Sequence, residues 1–247
     1  MHKLRRLLGL AAQPMRTRQD PAVNVHCQEF EVNNWLVSEF VLKTLVPIVG
    51  THPFPLNELV LMVAAVCRLK PDRIYEWGTH LGKSARIFYE TTAHFGLETD
   101  IHSVDLPDDV SHQEHPGHQR GLFVKGLHRV RLHQGDGLSV CLKIHAEAPA
   151  PKQTLIFLDG DHRYDSVRRE LAGIMRGIPT ANILLHDTFF QSTDSGYNVG
   201  PYRAICDAMT ETRVPYRVLS TGTGLPGMTL LYTLPHTPHD LAGAMRD

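Results

Sequence analysis

The stretch RIYEWGTHLGKSA (Arg73–Ala85) predicts a buried strand, a glycine-bearing turn and the start of a helix. RIYEW is short and mostly apolar, which is typical of a strand covered on both faces. Gly78 permits a tight turn and a close approach by a ligand, and Gly82 lets the helix beginning near Lys83 pack close to the strand. The free backbone N–H groups of that helix start are a common binding element for small polar ligands.

Six further segments after this unit read as strands. They are Ile101–Asp105, Arg129–Asp136, Thr154–Asp159, Ala181–Asp187, Tyr216–Thr221 and Met228–Thr233. Helical patterns alternate with the first of these strands, which predicts a mostly parallel α/β sheet with helices on both faces. The last two strands are joined by the short link Gly222–Gly227, too short for a helical crossover, so we expect them to be antiparallel.

The spacing of apolar residues also predicts the helices. They are expected at Glu29–Val49, from Asn57 as its cap to Leu69, from about Lys83, at Arg163–Met175 and at Pro201–Thr212. We therefore predict a basic tail and helical cap in residues 1–55 and a ligand-binding α/β domain in residues 56–247.

The composition indicates an ordinary globular chain. The 247 residues are 42% hydrophobic and carry a formal net charge of −1, so no global field attracts nucleic acid or an anionic membrane. No run of 18 apolar residues predicts a membrane span. Four widely spaced cysteines without a C-x-x-C pair favour free thiols in a reducing compartment, and we expect a cytoplasmic protein.

Polar residues at the ends of the second and third strands predict a nucleoside site. Asp105 is placed to accept hydrogen bonds from ribose hydroxyls. Asp136 can accept from an adenine amino group, and Gly137 leaves room for the ring. Each residue alone could be a cap or a solvated turn. Together with the glycine-bearing turn after the first strand, however, three successive strand ends carry suitable residues, which favours the ligand site.

These motifs resemble the class I S-adenosylmethionine-dependent methyltransferases over roughly residues 56–233. The resemblance rests on E-x-G-x-x-x-G-x-S, the strand-end Asp, G-D-G, and L-D-G-D-H. It implies a Rossmann-like, seven-stranded sheet with an antiparallel C-terminal strand. It implies cofactor contacts by Glu76, Gly78, Thr79, Gly82, Ser84, Asp105, Asp136, Gly137 and Asp159. A dinucleotide dehydrogenase is the main alternative, but Thr79-His80 stands where its second glycine belongs.

The ends of the fourth and fifth strands, LDGDH and LLHDT, should lie side by side in such a sheet. The pattern is similar to that of metal-dependent O-methyltransferases and cephalosporin-hydroxylase-like relatives. That similarity implies a divalent cation, Mg²⁺ or Mn²⁺, held by Asp159 and Asp187 with His186 beside them. His186 stands where the relatives more often have an acid, and imidazole is a poor ligand for Mg²⁺ but suits Mn²⁺, Fe²⁺ or Zn²⁺.

His162 follows Asp159 by three residues, where relatives carry a basic residue that acts as general base. Its imidazole can take the proton of an attacking hydroxyl, and the alternative is a solvated residue at a helix start. We expect Asp161 to be the N-cap of the following helix.

Two loops are expected to set the choice of acceptor. Leu106–Gly126 reads as a mobile polar lid carrying His112, His115 and His118. In Phe189–Ala204, four rings could form the wall of an acceptor pocket or pack in the core: Phe189, Phe190, Tyr197 and Tyr202.

The sequence thus predicts O-methylation of a small hydroxylated molecule, of sugar or natural-product type, with His162 and Asp159 as catalytic residues. The partner expected is that acceptor, without nucleic acid, and the N-terminal helices could form either the surface of a homo-oligomer or a cap over the substrate. The alternatives are a metal-independent methyltransferase, a hydroxylase-like relative and a non-catalytic S-adenosylmethionine-binding domain.

Overall fold

The structure is a computed structural model that describes residues 19–234, apart from residues 23, 25, 26, 113, 148 and 150. The basic tail predicted at the N-terminus lies almost entirely in residues 1–18, outside the described residues. Within the described part of the chain, no helix combines the length and apolar character needed to cross a membrane.

Seven strands form one sheet in the order β3-β2-β1-β4-β5-β7-β6. Their bounds are β1 Arg73–Trp77, β2 Asp100–Asp105, β3 Val130–Gln134, β4 Thr154–Leu158, β5 Asn182–His186, β6 Arg217–Ser220 and β7 Met228–Tyr232. Strands β1 to β5 are parallel to their neighbours, and β7 runs antiparallel to both β5 and β6. The predicted mostly parallel sheet and its antiparallel final strands are confirmed.

The helices lie before and between the strands. They are α1 Asn34–Phe40, continued by a π-helical turn at Val41–Leu45, α2 Val46–Val49, α3 Leu56–Leu69, α4 Lys83–Phe95, α5 Gly137–Glu147, α6 Tyr164–Gly177 and α7 Val199–Glu211, with a 3₁₀ turn at Gly117–Gln119.

Alternate strand residues bury two separate apolar clusters, one on each face of the sheet. Ile74 packs with helices α1 to α4, whereas its neighbour Tyr75 packs with helices α5 to α7. Helices therefore cover both faces, as predicted.

Several predicted helix boundaries are wrong. The first helix begins at Asn34 rather than Glu29, because the side chain of Asn33 accepts from the amides of Trp35 and Leu36 and starts the helix there. The π-helical turn inside the predicted range precedes Pro47, which has no N–H for a regular helical bond.

The cap predicted at Asn57 is also wrong. Helix α3 already begins at Leu56 after Pro55, and the Asn57 amide donates to Thr223 Oγ1 instead. Helices α6 and α7 differ from their predicted bounds by one or two residues at each end.

The carboxyl ends of β1 and β4 meet at the point where the strand order reverses, between β1 and β4. Open α/β sheets bind ligands at such a point, because the loops leaving the two strands diverge and leave a crevice.

Candidate active site

The turn after β1 lies directly against the end of β4. Gly78 has φ +96°, and a Cβ there would lie 1.9 Å from the carbonyl oxygen of Asp159. Any other residue would force the two strand ends apart. Gly78 therefore also lets the turn expected to bind the cofactor lie directly against Asp159, one of the expected catalytic residues.

Glu76 is a buried carboxylate with a free oxygen. Its Oε1 accepts from Ser103 Oγ at 2.5 Å, and its Oε2 has no hydrogen-bond partner among the described residues. Burial raises the pKa of Glu76 to about 7, although hydrogen bonds from Ser103 and Ser84 oppose the shift. An uncompensated buried oxygen costs free energy, so it fits a ligand that brings a donor such as the ammonium of S-adenosylmethionine.

The other predicted residues of the first turn lie beside Glu76. Thr79 Oγ1 is 2.6 Å from Ser103 Oγ, and both residues are buried. Gly82, at φ +83°, precedes α4, and a Cβ there would be 3.1 Å from the α-carbon of Gly121 in the predicted lid. The lid segment thus packs onto the turn that is expected to hold the cofactor.

Asp105 accepts from two backbone amides at the end of β2. Its Oδ2 accepts from His80 N and its Oδ1 from Leu106 N, each at 2.8 Å. Arg120 of the lid lies 3.6 Å from the same carboxylate through Nε. Both carboxylate oxygens of Asp105 are therefore bonded to backbone amides, and the guanidinium of Arg120 lies beside them.

Asp136 has structural partners at the start of α5. It accepts from the amide and hydroxyl of Ser139 and from the guanidinium of Arg169. The hydrogen bond from Arg169 is the main cause that lowers the pKa of Asp136 to about 2. At Gly137 a Cβ would lie 2.3 Å from Trp77 Cγ. The absence of a side chain at Gly137 thus leaves room for the indole of Trp77, a packing reason that the sequence did not suggest.

Three carboxylates converge on His186 at the end of β5. The Nδ1 atom lies 2.9 Å from Asp159 Oδ1 and 3.5 Å from Asp187 Oδ2, and Nε2 lies 3.0 Å from Glu58 Oε2. Burial lowers the pKa of His186, but Asp159 and Glu58 outweigh burial and raise it to about 10. Burial would raise the pKa of Asp159, but His186 and His162 lower it to about 2.

His162 lies on the solvent side of this cluster. Its Nε2 is 3.2 Å from Asp187 Oδ2 and 3.7 Å from Asp159 Oδ1, and its side chain is 46% exposed. Asp159 raises the pKa of His162, burial opposes the shift, and Asp187 adds to it. A more basic imidazole that solvent can reach is suited to accept a proton.

Asp161 makes its hydrogen bonds to the start of α6 and not to the His186 cluster. It accepts from the backbone and guanidinium of Arg163 and from Ser166 Oγ. The formal cap of α6 is Arg163, which makes no capping hydrogen bond with its side chain. The predicted N-cap is therefore displaced by two residues, although Asp161 still stabilises the helix start.

The loop after β5 borders the cluster with aromatic side chains. Tyr197 donates to Asp187 Oδ1 at 3.2 Å, and the rings of Phe190 and Tyr202 stack with centroids 4.5 Å apart. Phe189 instead packs against Gly227. Of the predicted wall, Tyr197 and Tyr202 are exposed, whereas Phe189 and Phe190 are half-buried.

Glu58 is the residue that the sequence analysis missed. It lies in the first turn of α3, is fully buried, and also accepts from Gly227 N at 2.8 Å. The signal was an acid at helical spacing from the buried residues Leu61, Met62 and Ala65, on the apolar face of the helix.

The donor set fits a divalent cation. Asp159, His186 and Asp187 each offer one ligand atom, and these atoms lie within 4.8 Å of one another. Two carboxylates and an imidazole are a common set for first-row divalent cations. A cation held there would require a His186 nitrogen without a proton, because a ligating nitrogen must offer a lone pair.

Comparison with known proteins identifies a domain within the chain. Residues 75–188 match the family model described as a methyltransferase domain. Among curated proteins, none matches the chain by sequence.

Solved structures share the fold at low identity. An O-methyltransferase from Bacillus cereus, in complex with SAH, is 18% identical, with 80% of this chain and 91% of that chain covered and a TM-score of 0.53. The methyltransferase PaMTH1 from Podospora anserina, bound to SAH, is 17% identical, with coverage of 81% and 86% and a TM-score of 0.51. The TDP-rhamnose 3′-O-methyltransferase CalS11 of calicheamicin biosynthesis is 16% identical, with coverage of 94% and 91% and a TM-score of 0.51.

Residues 75–188 thus match a methyltransferase domain, and the chain has the fold of the class I, S-adenosylmethionine-dependent methyltransferases. The resemblance predicted from its sequence, including that to the O-methyltransferase branch, is confirmed at the level of the fold.

Proposed function

We propose that this methyltransferase transfers a methyl group from S-adenosylmethionine to a hydroxyl of a small molecule, with His162 as general base. The observation that carries the proposal is the position of His162 Nε2, 3.2 Å from Asp187 and 3.7 Å from Asp159. These residues follow β4 and β5, and the cofactor turn at Gly78 touches Asp159. Base, carboxylates and methyl donor would therefore share one crevice.

The cofactor would be held by the turn after β1 and by the ends of β2, β3 and β4. The residues assigned to it are Glu76, Gly78, Thr79, Gly82, Ser84, Asp105, Asp136, Gly137 and Asp159. When bound, S-adenosylmethionine supplies an activated methyl group on a sulfonium. The free Oε2 of Glu76 and the backbone-anchored Asp105 would fix its two ends.

Asp159, His186 and Asp187 would hold a divalent cation. When bound, the cation supplies positive charge next to the acceptor oxygen, which favours the deprotonated hydroxyl.

His162 would then accept the proton of the acceptor hydroxyl at Nε2. The acceptor oxygen bonds to the methyl carbon as the carbon–sulfur bond breaks, S-adenosylhomocysteine leaves, and the proton passes from His162 to solvent. Asp187 and Asp159 hold the ring in place and stabilise the imidazolium that forms.

The acceptor would enter beside the aromatic loop. Tyr197 and Tyr202 are 48% and 40% exposed, and large exposed rings can stack on the faces of sugars or aromatic natural products. Because CalS11 is by its name a sugar O-methyltransferase and shares the fold, nucleotide sugars are the first acceptors to test.

The test is a screen of the purified full-length protein with methyl-labelled S-adenosylmethionine, nucleotide sugars and catechols, followed by mass spectrometry. We expect an O-methylated product, and His162→Gln should lower kcat by about 10²- to 10⁴-fold while S-adenosylhomocysteine still binds.

The matched control is His128→Gln. His128 is an exposed histidine just before the edge strand β3, at the amino end of that strand, and its replacement should leave turnover unchanged. Full activity of His162→Gln would exclude the base role, and failure of the wild type to bind S-adenosylhomocysteine would refute the proposed function.

A further inference from the structure

His186 is held between two buried carboxylates that come from distant parts of the chain. Its Nε2 faces Glu58 in α3 at 3.0 Å, and its Nδ1 faces Asp159 after β4 at 2.9 Å. The ring of Phe54 packs edge-on against the imidazole, with centroids 4.9 Å apart. A turn of the ring would therefore break both hydrogen bonds and the contact with Phe54.

Glu58 is itself fixed in place. It is fully buried in the first turn of α3, and its second oxygen accepts from Gly227 N at 2.8 Å. A carboxylate held in this way can only accept a hydrogen bond, so it requires a proton on His186 Nε2.

Asp159 Oδ1 accepts from Nδ1 in the same way, so a cation bound between Asp159 and Asp187 would take the place of the proton on Nδ1, whereas Glu58 would keep the proton on Nε2. With the proton fixed on Nε2, the lone pair of Nδ1 points toward Asp159 Oδ1 and Asp187 Oδ2. Histidines that bind metals usually donate the other ring N–H to a carboxylate or carbonyl, which sets the tautomer and makes the ligand more basic.

The charges in this region also favour a cation. Glu58, Asp159 and Asp187 bring three carboxylates together, and within the described chain their ionisable basic partners are the two imidazoles of His162 and His186. Buried negative charge without a matching positive charge is costly, and a divalent cation between Asp159, His186 and Asp187 would remove that cost.

We infer that Glu58 is a positioning residue of the cation site: it presents His186 Nδ1 as a nitrogen ligand and thereby selects a first-row divalent cation over Mg²⁺. The inference rests on the cation of the proposed function and extends it to a residue outside the 75–188 segment that matches the family model. Imidazole nitrogen is a poor ligand for Mg²⁺, which prefers oxygen, and a good one for transition cations.

Binding of Mn²⁺ alone to the full-length protein tests the inference without an acceptor. We expect one bound Mn²⁺ by electron paramagnetic resonance, and at least about tenfold weaker competition by Mg²⁺. Electron spin-echo modulation of the bound Mn²⁺ should show coupling to ¹⁴N, because His186 Nδ1 is a ligand. This readout needs no variant and therefore does not depend on how any variant folds.

Glu58→Gln should weaken Mn²⁺ binding by about 10- to 100-fold, as expected when the partner of a ligating histidine is removed. The amide of glutamine can donate to Nε2, which would move the ring proton to Nδ1 and block the ligand position. The matched control is Glu98→Gln, an 84% exposed glutamate paired with Arg129, which should bind Mn²⁺ as the wild type does.

Three results would overturn the inference: no stoichiometric Mn²⁺ bound to the wild type, no ¹⁴N coupling, or equal affinity for Mn²⁺ and Mg²⁺. Any of these would leave Glu58 and His186 as a buried ion pair. Binding of S-adenosylhomocysteine, measured in the same samples by calorimetry, separates this failure from a failure of the proposed function.

Discussion

Asp159 and Asp161 stand two positions apart in LDGDH and belong to different hydrogen-bond networks. Asp159 Oδ1 accepts from His186 Nδ1 at 2.9 Å, inside the crevice. Asp161 Oδ2 accepts from Ser166 Oγ at 2.6 Å, at the start of α6. Replacing each aspartate separately can therefore show that Asp159 acts in the crevice and that Asp161 stabilises the helix.

Asp159→Asn should lower turnover of the acceptor found in the screen by at least about 100-fold, because it removes a charge that holds both His186 and His162. Asp161→Asn should stay within about threefold of the wild type and lower the free energy of unfolding by about 1 kcal/mol, as the loss of a helix-start bond does. Steady-state kinetics and urea unfolding measure the two effects. Equal turnover losses in both variants would contradict the separation.

The affinity for S-adenosylhomocysteine should depend on pH through Glu76. Burial raises the pKa of Glu76 to about 7, so the free protein increasingly carries a protonated Glu76 below that pH. An ammonium ligand prefers the carboxylate, so the dissociation constant should rise by about tenfold per pH unit below 7 and be constant above it.

Calorimetry from pH 5.5 to 8.5 measures this dependence. In Glu76→Gln binding should be weaker, and its dependence on pH should disappear. A wild-type affinity that is flat across pH 6 to 7 would mean that Glu76 does not contact the ligand.

Gly137→Ala should destabilise the fold. The added Cβ would lie 2.3 Å from Trp77 Cγ, so the indole would have to move within a packed region, at a cost of about 1–3 kcal/mol. Gly222→Ala is the matched control, since a Cβ there meets nothing within 4 Å, and it should change stability by less than about 0.5 kcal/mol. Urea unfolding of both variants checks the prediction, and equal stabilities would show that Trp77 is free to shift.

Glu170 should make the protein less stable as pH rises. Burial raises the pKa of Glu170 from 4.5 to about 7, against the opposing effects of Trp77 and Arg169. Between these two values the folded state holds a proton that the unfolded state has lost, so the free energy of unfolding falls as pH rises from 4.5 to 7.

Glu170→Gln removes this titration. The variant should therefore be more stable than the wild type at pH 8, by roughly 1–3 kcal/mol, and should approach it near pH 5. Thermal and urea unfolding at the two pH values give the comparison. Parallel stability curves for variant and wild type would show that Glu170 titrates normally.

Much of the fold could be predicted from the sequence, because local patterns encode it. Leu155, Ile156, Phe157 and Leu158 form a continuous apolar run that only a strand covered on both faces can bury. The neighbouring positions of β4 and β5 followed from the family resemblance, and the register Leu158 opposite Leu185 confirms them. Asp159, His162 and Asp187 lie close together for that reason.

The errors came where several local solutions compete. Asn57 and Asn33 are both plausible caps by residue type, and tertiary contacts decide that Asn33 caps while Asn57 reaches Thr223. The contact between Glu58 and His186 joins positions 128 residues apart in the chain and depends on how α3 packs against the sheet. No spacing rule within one helix or strand can specify a pairing of that kind.

The link from Glu58 to Gly227 and His186 means that the site is assembled from three distant parts of the chain. Residues 75–188 would carry Asp159, His186 and Asp187 with them if they were transplanted onto another scaffold. Glu58, which contacts His186, lies outside that segment and would be left behind. Exchanging α3 between related enzymes, with the three proposed ligands untouched, should therefore change which cation the recipient prefers.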